Sequence, residues 1–459
     1  MGRNCLSKKN EKKGKRNKMN IHKKIILLLC ACSCIQVMGQ GKNSRIVTLS
    51  FLESIDKASK ENISIEAMKI EESAALSEFK ESKSYVLPKW SATAAYQRFS
   101  KITLYDGFLG ESELVSKPPN ANAGNFGMEA FFNLYKGGKQ KNAVKIASYK
   151  NDLSAIQTEE LTANVHLQVA QYYFDLVRLQ YLKNITMEQI HRAEKRLENI
   201  NSLYQNGKVT RSDVLRAELM LSKVSLDHNE AINDYTISNK KLNVLLKLEE
   251  SALIIPSDTT NFKRIDAMDL KEILFGPTVP YALQINEKFI AISEVQKKII
   301  KADNLPSLGL IGGYNFNYPN TLIMPPLDQT YGIGFVGLKM SFDISSLYQN
   351  HHKINASNYR LEKIKLQTKY VEENIEQEKH SLYIKYMEAL NRIEVTEKSI
   401  EQAKSNYNIV NTKYFNQLAL LTDLLDADNL YQQSKFDYIR ARINTIILYN
   451  KILYLTAQL

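Results

Sequence analysis

Two aspartates three residues apart, Asp423 and Asp426 in "TDLLDADNLY", are the residues of this chain whose type and spacing most invite chemistry. On a helix, positions three apart share a face, so the two carboxylates act on the same space. Repeated around a symmetric opening, they would form stacked rings that select cations and bind a blocking multivalent cation. An aspartate-bearing turn of the same kind lies 210 positions earlier: "YQNGKVTRSDVLRAELML" from Tyr204 is echoed by "YFNQLALLTDLLDADNLY" from Tyr414, and Asp213 corresponds to Asp423. An acid in the first turn of a helix also complements the helix dipole by about 0.3–1 kcal/mol. That accounts fully for Asp213 and Asp423, and less well for Asp426. Other chemistry is sparse. His351 and His352 form the one histidine cluster, with no carboxylate or third ligand at metal-binding spacing. Neither a Gly-rich phosphate loop nor a nucleophile elbow occurs. The chain reads as a non-enzyme with no cofactor and no metal.

The elements that must carry these turns are long helices. All ten prolines fall at 88, 118–119, 256, 277, 280, 306, 319 and 325–326, and the 122 residues after Gly337 contain neither Gly nor Pro. Between Gly138 and Phe275 the one glycine is Gly207. Stretches this free of breakers and rich in Glu, Lys, Gln, Leu and Ala are helix formers. Apolar positions such as Leu167, Val169, Tyr172, Tyr173, Leu176 and Leu179 recur at helical spacing. A helix from Lys136 to Tyr204 would be roughly 100 Å long, an element of coiled coils and tubes. Asn206-Gly207 offers the left-handed residue that ends such a helix, and Thr210 or Ser212 caps the next. In the second copy Asn416 and Thr422 are the counterparts.

Two short regions alternate with period two instead. Trp90, Ala92, Ala94 and Tyr96 share one face, as do Phe126, Met128, Ala130, Phe132 and Leu134. The second region repeats the pattern with Leu308, Leu310, Tyr314, Phe316 and Tyr318, then Val336, Leu338, Met340 and Phe342. The intervening positions are small or polar. Strands of about 9–12 residues, apolar on one side with aromatics near their ends, have the pattern of a membrane β-barrel. Trp90, the one tryptophan, falls near a strand start, where an interfacial aromatic belt places it. Soluble hairpins with one face on a core are the plainer reading; an exported chain with no other core to offer them favours the membrane.

The repeat extends well beyond the turns. A displacement of 210 also pairs Gly124 with Gly334, Phe132 with Phe342, Tyr173 with Tyr383, Asn206 with Asn416 and Asp227 with Asp437. Upstream, "LP" at 87–88 matches "LP" at 305–306 with a displacement of 218, so the first hairpin loop is eight residues longer. The fold class is therefore mostly α with a membrane β-barrel part, built from a duplicated unit of helix, β-hairpin and long helical hairpin with four strands per chain. Four strands cannot close, and open edges in lipid leave backbone groups unpaired at several kcal/mol each. Two chains would give eight strands and three would give twelve. Small and polar inward residues suggest an open lumen and favour three.

The N-terminus stands apart. A basic stretch, the apolar "IILLLCACSCI", and Val37 and Gly39 before Gln40 make a secretion signal. Met19 is an alternative start, and "LCAC" ending at Cys32 offers a rival reading as a lipidation site. Residues 1–39 hold ten Lys/Arg and one Glu of a chain whose formal net charge is +12, so the remainder carries near +3 and gives no argument for nucleic acid. All four cysteines lie in the signal. The expected divisions are 1–39 signal peptide, 40–86 N-terminal helices, 87–135 first transmembrane β-hairpin, 136–247 first long helical hairpin, 248–280 linker, 281–304 entry helix, 305–343 second transmembrane β-hairpin and 344–459 second long helical hairpin.

The duplicated layout, the "LPKW" and "LPSL" strand entries, and the two turns "YQNGKVTRSDVLRAE" and "YFNQLALLTDLLDADNLY" resemble the TolC-like outer-membrane efflux proteins, from "VTLSFLESIDKASKENISI" to "LYNKILYLTAQL". The resemblance implies a homotrimer with a twelve-stranded barrel in outer-membrane lipid and a periplasmic α-helical tunnel. It implies a passive exit duct of a Gram-negative bacterium, joined through a periplasmic adaptor to an inner-membrane pump of RND, ABC or MFS type, in efflux or type I secretion. By similarity, Asp423 and Asp426 match the acidic aperture rings, and Asp213 and Tyr414 match positions that hold the closed entrance. The family's arginine five residues after that tyrosine is Ala419 here, so the lock falls to another group such as Arg211 or Arg216. Asn206, Gly207, Lys208 and Val209, with Asn416, Gln417, Leu418 and Ala419, match the adaptor-docking tips. The lining does not distinguish drugs, metal ions or a protein as cargo. A different class of protein, a periplasmic coiled-coil structural or adaptor protein without a pore, would share the helices and have no need of the four strands.

Overall fold

The computed structural model describes residues 46–100, 102–105, 112–115, 122–258, 267–319 and 328–459. The expected signal segment, with Met19 and Cys32, lies outside the described residues. Strand β1 (Ile46–Leu49) is followed by helices α1 (Phe51–Glu61) and α2 (Ile63–Ser84). Ser50 and Glu53 start α1 with a capping box: the Glu53 N–H donates to the Ser50 hydroxyl (3.2 Å) and the Ser50 N–H to the Glu53 carboxylate (2.8 Å). Strands β2 (Lys89–Arg98), β3 (Ile102–Tyr105), β4 (Ser112–Val115) and β5 (Asn122–Lys136) come next. Helix α3 (Lys139–Gln205) then runs 67 residues and returns as α4 (Arg211–Leu245). The second half repeats the order with β6 (Leu253–Pro256), α5 (Ala267–Phe275), α6 (Tyr281–Lys301), β7 (Ser307–Tyr318), β8 (Tyr331–Ser341), α7 (Ser346–Phe415) and α8 (Leu421–Leu455).

At 67 and 70 residues, α3 and α7 are each about 100 Å long. Each packs against its returning partner as an antiparallel hairpin, and α3 also lies against α6 and α8, which joins the two repeats. The largest core cluster sits partway along α3, where Val169, Tyr173, Leu176 and Leu179 meet Ala58, Tyr235, Leu242, Ile254 and Ile443. The Tyr173 hydroxyl donates to the Leu49 carbonyl (3.0 Å) and accepts from the Asp258 N–H (3.3 Å). Tyr235 donates to the Ile254 carbonyl (2.5 Å), and burial pushes its hydroxyl up to about 12. These tyrosines anchor a parallel pair, β1 with β6, in register from Ile46↔Leu253 to Leu49↔Pro256. The pair falls in segments read from sequence as helical (40–86) and as linker (248–280). Four residues are too few for an alternation to register as a strand.

The extended sheet has the order β2-β5-β7-β8, antiparallel throughout. Its register settles the faces. Trp90 stands opposite Ala130, Ala92 opposite Met128, Phe126 opposite Phe316, Met128 opposite Tyr314, and Leu310 opposite Leu338. One face is thus apolar across all four strands. The other carries Ser91, Thr93, Asn125, Glu129, Asn315, Asn317 and Lys339, with Phe131, Ile311, Ile333 and Phe335 among them. The alternation expected to run to Leu134 breaks there: a bulge between Asn133 and Tyr135 sets Tyr135 opposite Leu308. On the apolar face the Tyr314 side chain lies over Gly332 and Gly334, so close that an added Cβ would meet its hydroxyl oxygen at 2.6 Å and a ring carbon at 2.9 Å. Trp90 is 75% exposed and Val336 83% exposed. The strands span 10, 15, 12 and 11 residues, against about 9–11 for a tilted membrane strand. In the longer first loop, β3 and β4 pair with each other as an additional antiparallel ribbon. Among the described residues, β2 and β8 each have one partner in this sheet and are its edges. No helix among the described residues is long and apolar enough to cross a membrane.

Candidate functional site at the hairpin tips

The two tips have one backbone. At the end of α3 the Lys208 N–H bonds the Leu203 carbonyl (2.9 Å) and the Gly207 N–H bonds Tyr204 (2.9 Å). At the end of α7 the Leu418 N–H bonds Lys413 (2.8 Å) and the Gln417 N–H bonds Tyr414 (2.9 Å). Both are Schellman closures, which need a left-handed residue after the cap. Gly207 supplies it at φ +67° in the first tip and Gln417 at φ +63° in the second, rather than Asn416.

Their side chains differ. Thr210 caps α4 and exchanges bonds with Asp213: the Asp213 N–H reaches the hydroxyl at 3.3 Å, and the Thr210 N–H reaches the carboxylate at 2.9 Å. In the second tip the capping position holds Leu420 rather than Thr422. Its N–H donates to the Asp423 carboxylate (3.1 Å), and a leucine has no acceptor to return the bond. Val209 and Ala419 tuck against a small core of Ile200, Val214, Ala217, Tyr414, Leu421 and Leu424. Asn206, Gly207, Lys208, Asn416, Gln417 and Leu418 face outward. Leu418 and Leu420 are 76% and 70% exposed. Between the tips lies a cavity of about 250 Å³ that touches Lys208, Asp213, Tyr414, Ala419 and Leu421.

Asp423 and Asp426 lie on the exposed side of α8, with Leu424 and Ala427 buried beneath them. Tyr414 is buried, and its hydroxyl has no hydrogen-bond partner among the described residues. Burial first, and the Asp213 charge second, raise its pKa, while Arg196 opposes them. Arg211 and Arg216 are exposed and form no ion pair with a described carboxylate. The arginines of this region are on α3 instead. Arg196, 6% exposed, donates to the fully buried Asp428 carboxylate at 2.7 Å, and Arg192 reaches the same group at 3.3 Å. One Nη of each guanidinium and the Gln432 carbonyl oxygen are left without a partner among the described residues. Two turns away, Lys435 pairs with Glu188 at 3.0 Å and continues the seam between α3 and α8.

Sequence reasoning missed this cluster. Asp428 has no acidic twin in a capping position, and arginines more than two hundred residues away give no local signal. The displacement of 210 did hold a hint: Asp428 corresponds to Glu218, which is exposed, so the two copies differ here.

Residues 54–246 match the family model described as outer membrane efflux protein. Among solved structures, VceC of Vibrio cholerae is similar with a TM-score of 0.75 at 15% identity, covering 89% of this chain and 96% of that one. The Campylobacter jejuni CmeC outer membrane channel gives 0.75 at 16%, covering 89% and 85%. The open state of the Neisseria gonorrhoeae MtrE outer membrane channel gives 0.69 at 15%, covering 89% and 88%. No curated protein sequence matches. The matched segment takes in α1, α2, the first sheet strands and the first helical hairpin, and the fold of solved outer-membrane channels extends over the second copy. Over residues 54–246 the chain is thus similar to the outer membrane efflux proteins, and over most of its length it has the fold of solved outer-membrane channels.

Proposed function

We propose that this chain is one third of a passive exit duct. Three copies join β8 of one to β2 of the next and close a twelve-stranded barrel, and the helical hairpins continue it as a periplasmic tunnel. The observation that carries the reading is the four-stranded sheet: apolar across one whole face, with both edges unpaired among the described residues. In lipid each open edge would leave backbone groups unsatisfied at several kcal/mol apiece, and closure by further copies removes both.

The tips then form the inner entrance. Asp423 and Asp426 from three chains make two acidic rings that select cations. The grooves beside Asn206–Val209 and Asn416–Ala419 receive a periplasmic adaptor, which couples the duct to an inner-membrane pump in a tripartite efflux or type I secretion system. Arg196 with Asp428 takes the place of the arginine absent at Ala419, holding the second hairpin against the first within one chain. Trp90 sits at the periplasmic edge of the lipid, residues 1–39 are removed on export, and the two β-hairpins and two helical hairpins are the working divisions of the mature chain.

The test is the stoichiometry of the particle extracted from outer membranes by detergent and cross-linked. Three subunits, and steps of conductance in a planar bilayer, are expected. A water-soluble monomer or dimer would sink the duct.

A further inference from the structure

We infer that the base of the barrel carries an anion-selecting lysine collar, so that the duct is acidic at its entrance and basic at the passage into the barrel. This rests on the duct reading above, which makes the sheet face opposite the apolar one the wall of the lumen. Register places Lys89 (opposite Phe131), Lys136 (opposite Ser307) and Lys339 (opposite Gly309) on that inner face, all at the end of the sheet nearest the helices.

Two cavities open there, of about 290 and 330 Å³, and they share Lys136 and Ser307 in their walls. Lys89 lines the first, and Lys139 and Lys353 line the second. The carboxylates in the same walls are Asp303 and Asp343. Asp303 is paired with Lys139, and Asp343 is engaged by the Ser345 N–H (3.0 Å) and hydroxyl (2.5 Å). Among the described residues, no carboxylate pairs with Lys89, Lys136 or Lys339. Glu129 is on the same face but farther out, opposite Ser91. Five lysines against two aspartates leave three uncompensated positive charges per chain at one level of the wall. Threefold repetition concentrates them around a single passage. A narrow passage lined by one sign of charge with low-dielectric walls concentrates the opposite ion, and rings of lysine select anions in pores. The class of group that dwells there is a carboxylate, phosphate or sulfate on the cargo.

Selectivity in a bilayer separates the collar from the entrance. In the purified trimer carrying Asp423→Asn and Asp426→Asn, the reversal potential across a KCl gradient should report chloride preferred over potassium by about threefold. Adding Lys89→Gln, Lys136→Gln and Lys339→Gln should return the permeability ratio to one or below. These lysines are exposed, so the variants should assemble, and trimer yield on a gel checks that they do. A chloride preference that the three substitutions leave unchanged would overturn the collar while leaving the duct intact. If the unsubstituted protein opens no channel at all, the duct reading falls and the collar with it.

Discussion

The two hairpin tips are the same turn made twice from different residues. In the first, Gly207 occupies the left-handed position freely, Thr210 and Asp213 close a full capping box, and the exposed loop is polar. In the second, Gln417 holds a conformation that L side chains adopt at a penalty, Leu420 leaves the cap half-made, and Leu418 and Leu420 stand in water. Local stability is built into the first tip and given up in the second. A few turns along α8 the second hairpin has a contact the first lacks: Asp428 is gripped by two arginines of α3, while its counterpart Glu218 on α4 is exposed. A duplicated unit thus separates its tasks: one copy is self-sufficient, and the other depends on its neighbour.

Substitutions at matched positions test that separation. The largest expected effect is at the clasp. Asp428→Ala leaves two guanidinium groups without their counter-charge and should cost about 3–5 kcal/mol, read as a lowered unfolding midpoint in detergent. Glu218→Ala, at the matching position, should stay within about 0.5 kcal/mol. Next come the left-handed residues: Gly207→Ala should lose about 1–2 kcal/mol, and Gln417→Gly should gain a comparable or smaller amount. Equal responses at the two tips would break the comparison. Exchanging the caps should move stability by about 1 kcal/mol in opposite directions, Leu420→Thr upward and Thr210→Leu downward. If the exposed leucines are the adaptor's foothold, Leu420→Thr also weakens adaptor co-purification while raising the melting temperature. The smallest effect is Tyr414→Phe. Removing a hydroxyl that has no partner among the described residues should be neutral or stabilising by under about 1 kcal/mol, and a large loss would mean the hydroxyl is engaged across a subunit boundary.

Much of this architecture was legible in the sequence because it repeats and because its signals are local. The absence of breakers announced α3 and α7. Period-two alternation announced β2, β5, β7 and β8, and the displacement of 210 tied the halves together. What escaped is non-local or too short. Strands β1 and β6 are four residues each and exist through pairing with each other across some two hundred residues. The bulge at Leu134 depends on its partner strand. At the tips, Asn416 looked like the natural left-handed residue and Thr422 the natural cap, yet the left-handed turn falls one residue later and the next helix is capped two residues earlier than propensity suggests, at Gln417 and Leu420. Arg196 was hidden for a different reason. The sequence offered Arg211 and Arg216 near the tips, whereas the arginine whose charge acts on Tyr414 comes from α3.

The unbroken length of α3 also makes it a lever. From Tyr173 in the main core to the helix end at Gln205 is roughly 48 Å at 1.5 Å per residue. A pivot of α8 away from α3 by about five degrees around that core would move the tips apart by roughly 4 Å along such a rod. At Arg196, closer to the fulcrum, the same swing opens a gap of roughly 3 Å, more than the 2.7 Å contact to Asp428 can survive. The hairpin tips therefore have little freedom to part gradually: the contact must let go first, and a slight repacking near Tyr173 then becomes a full stride at the far end.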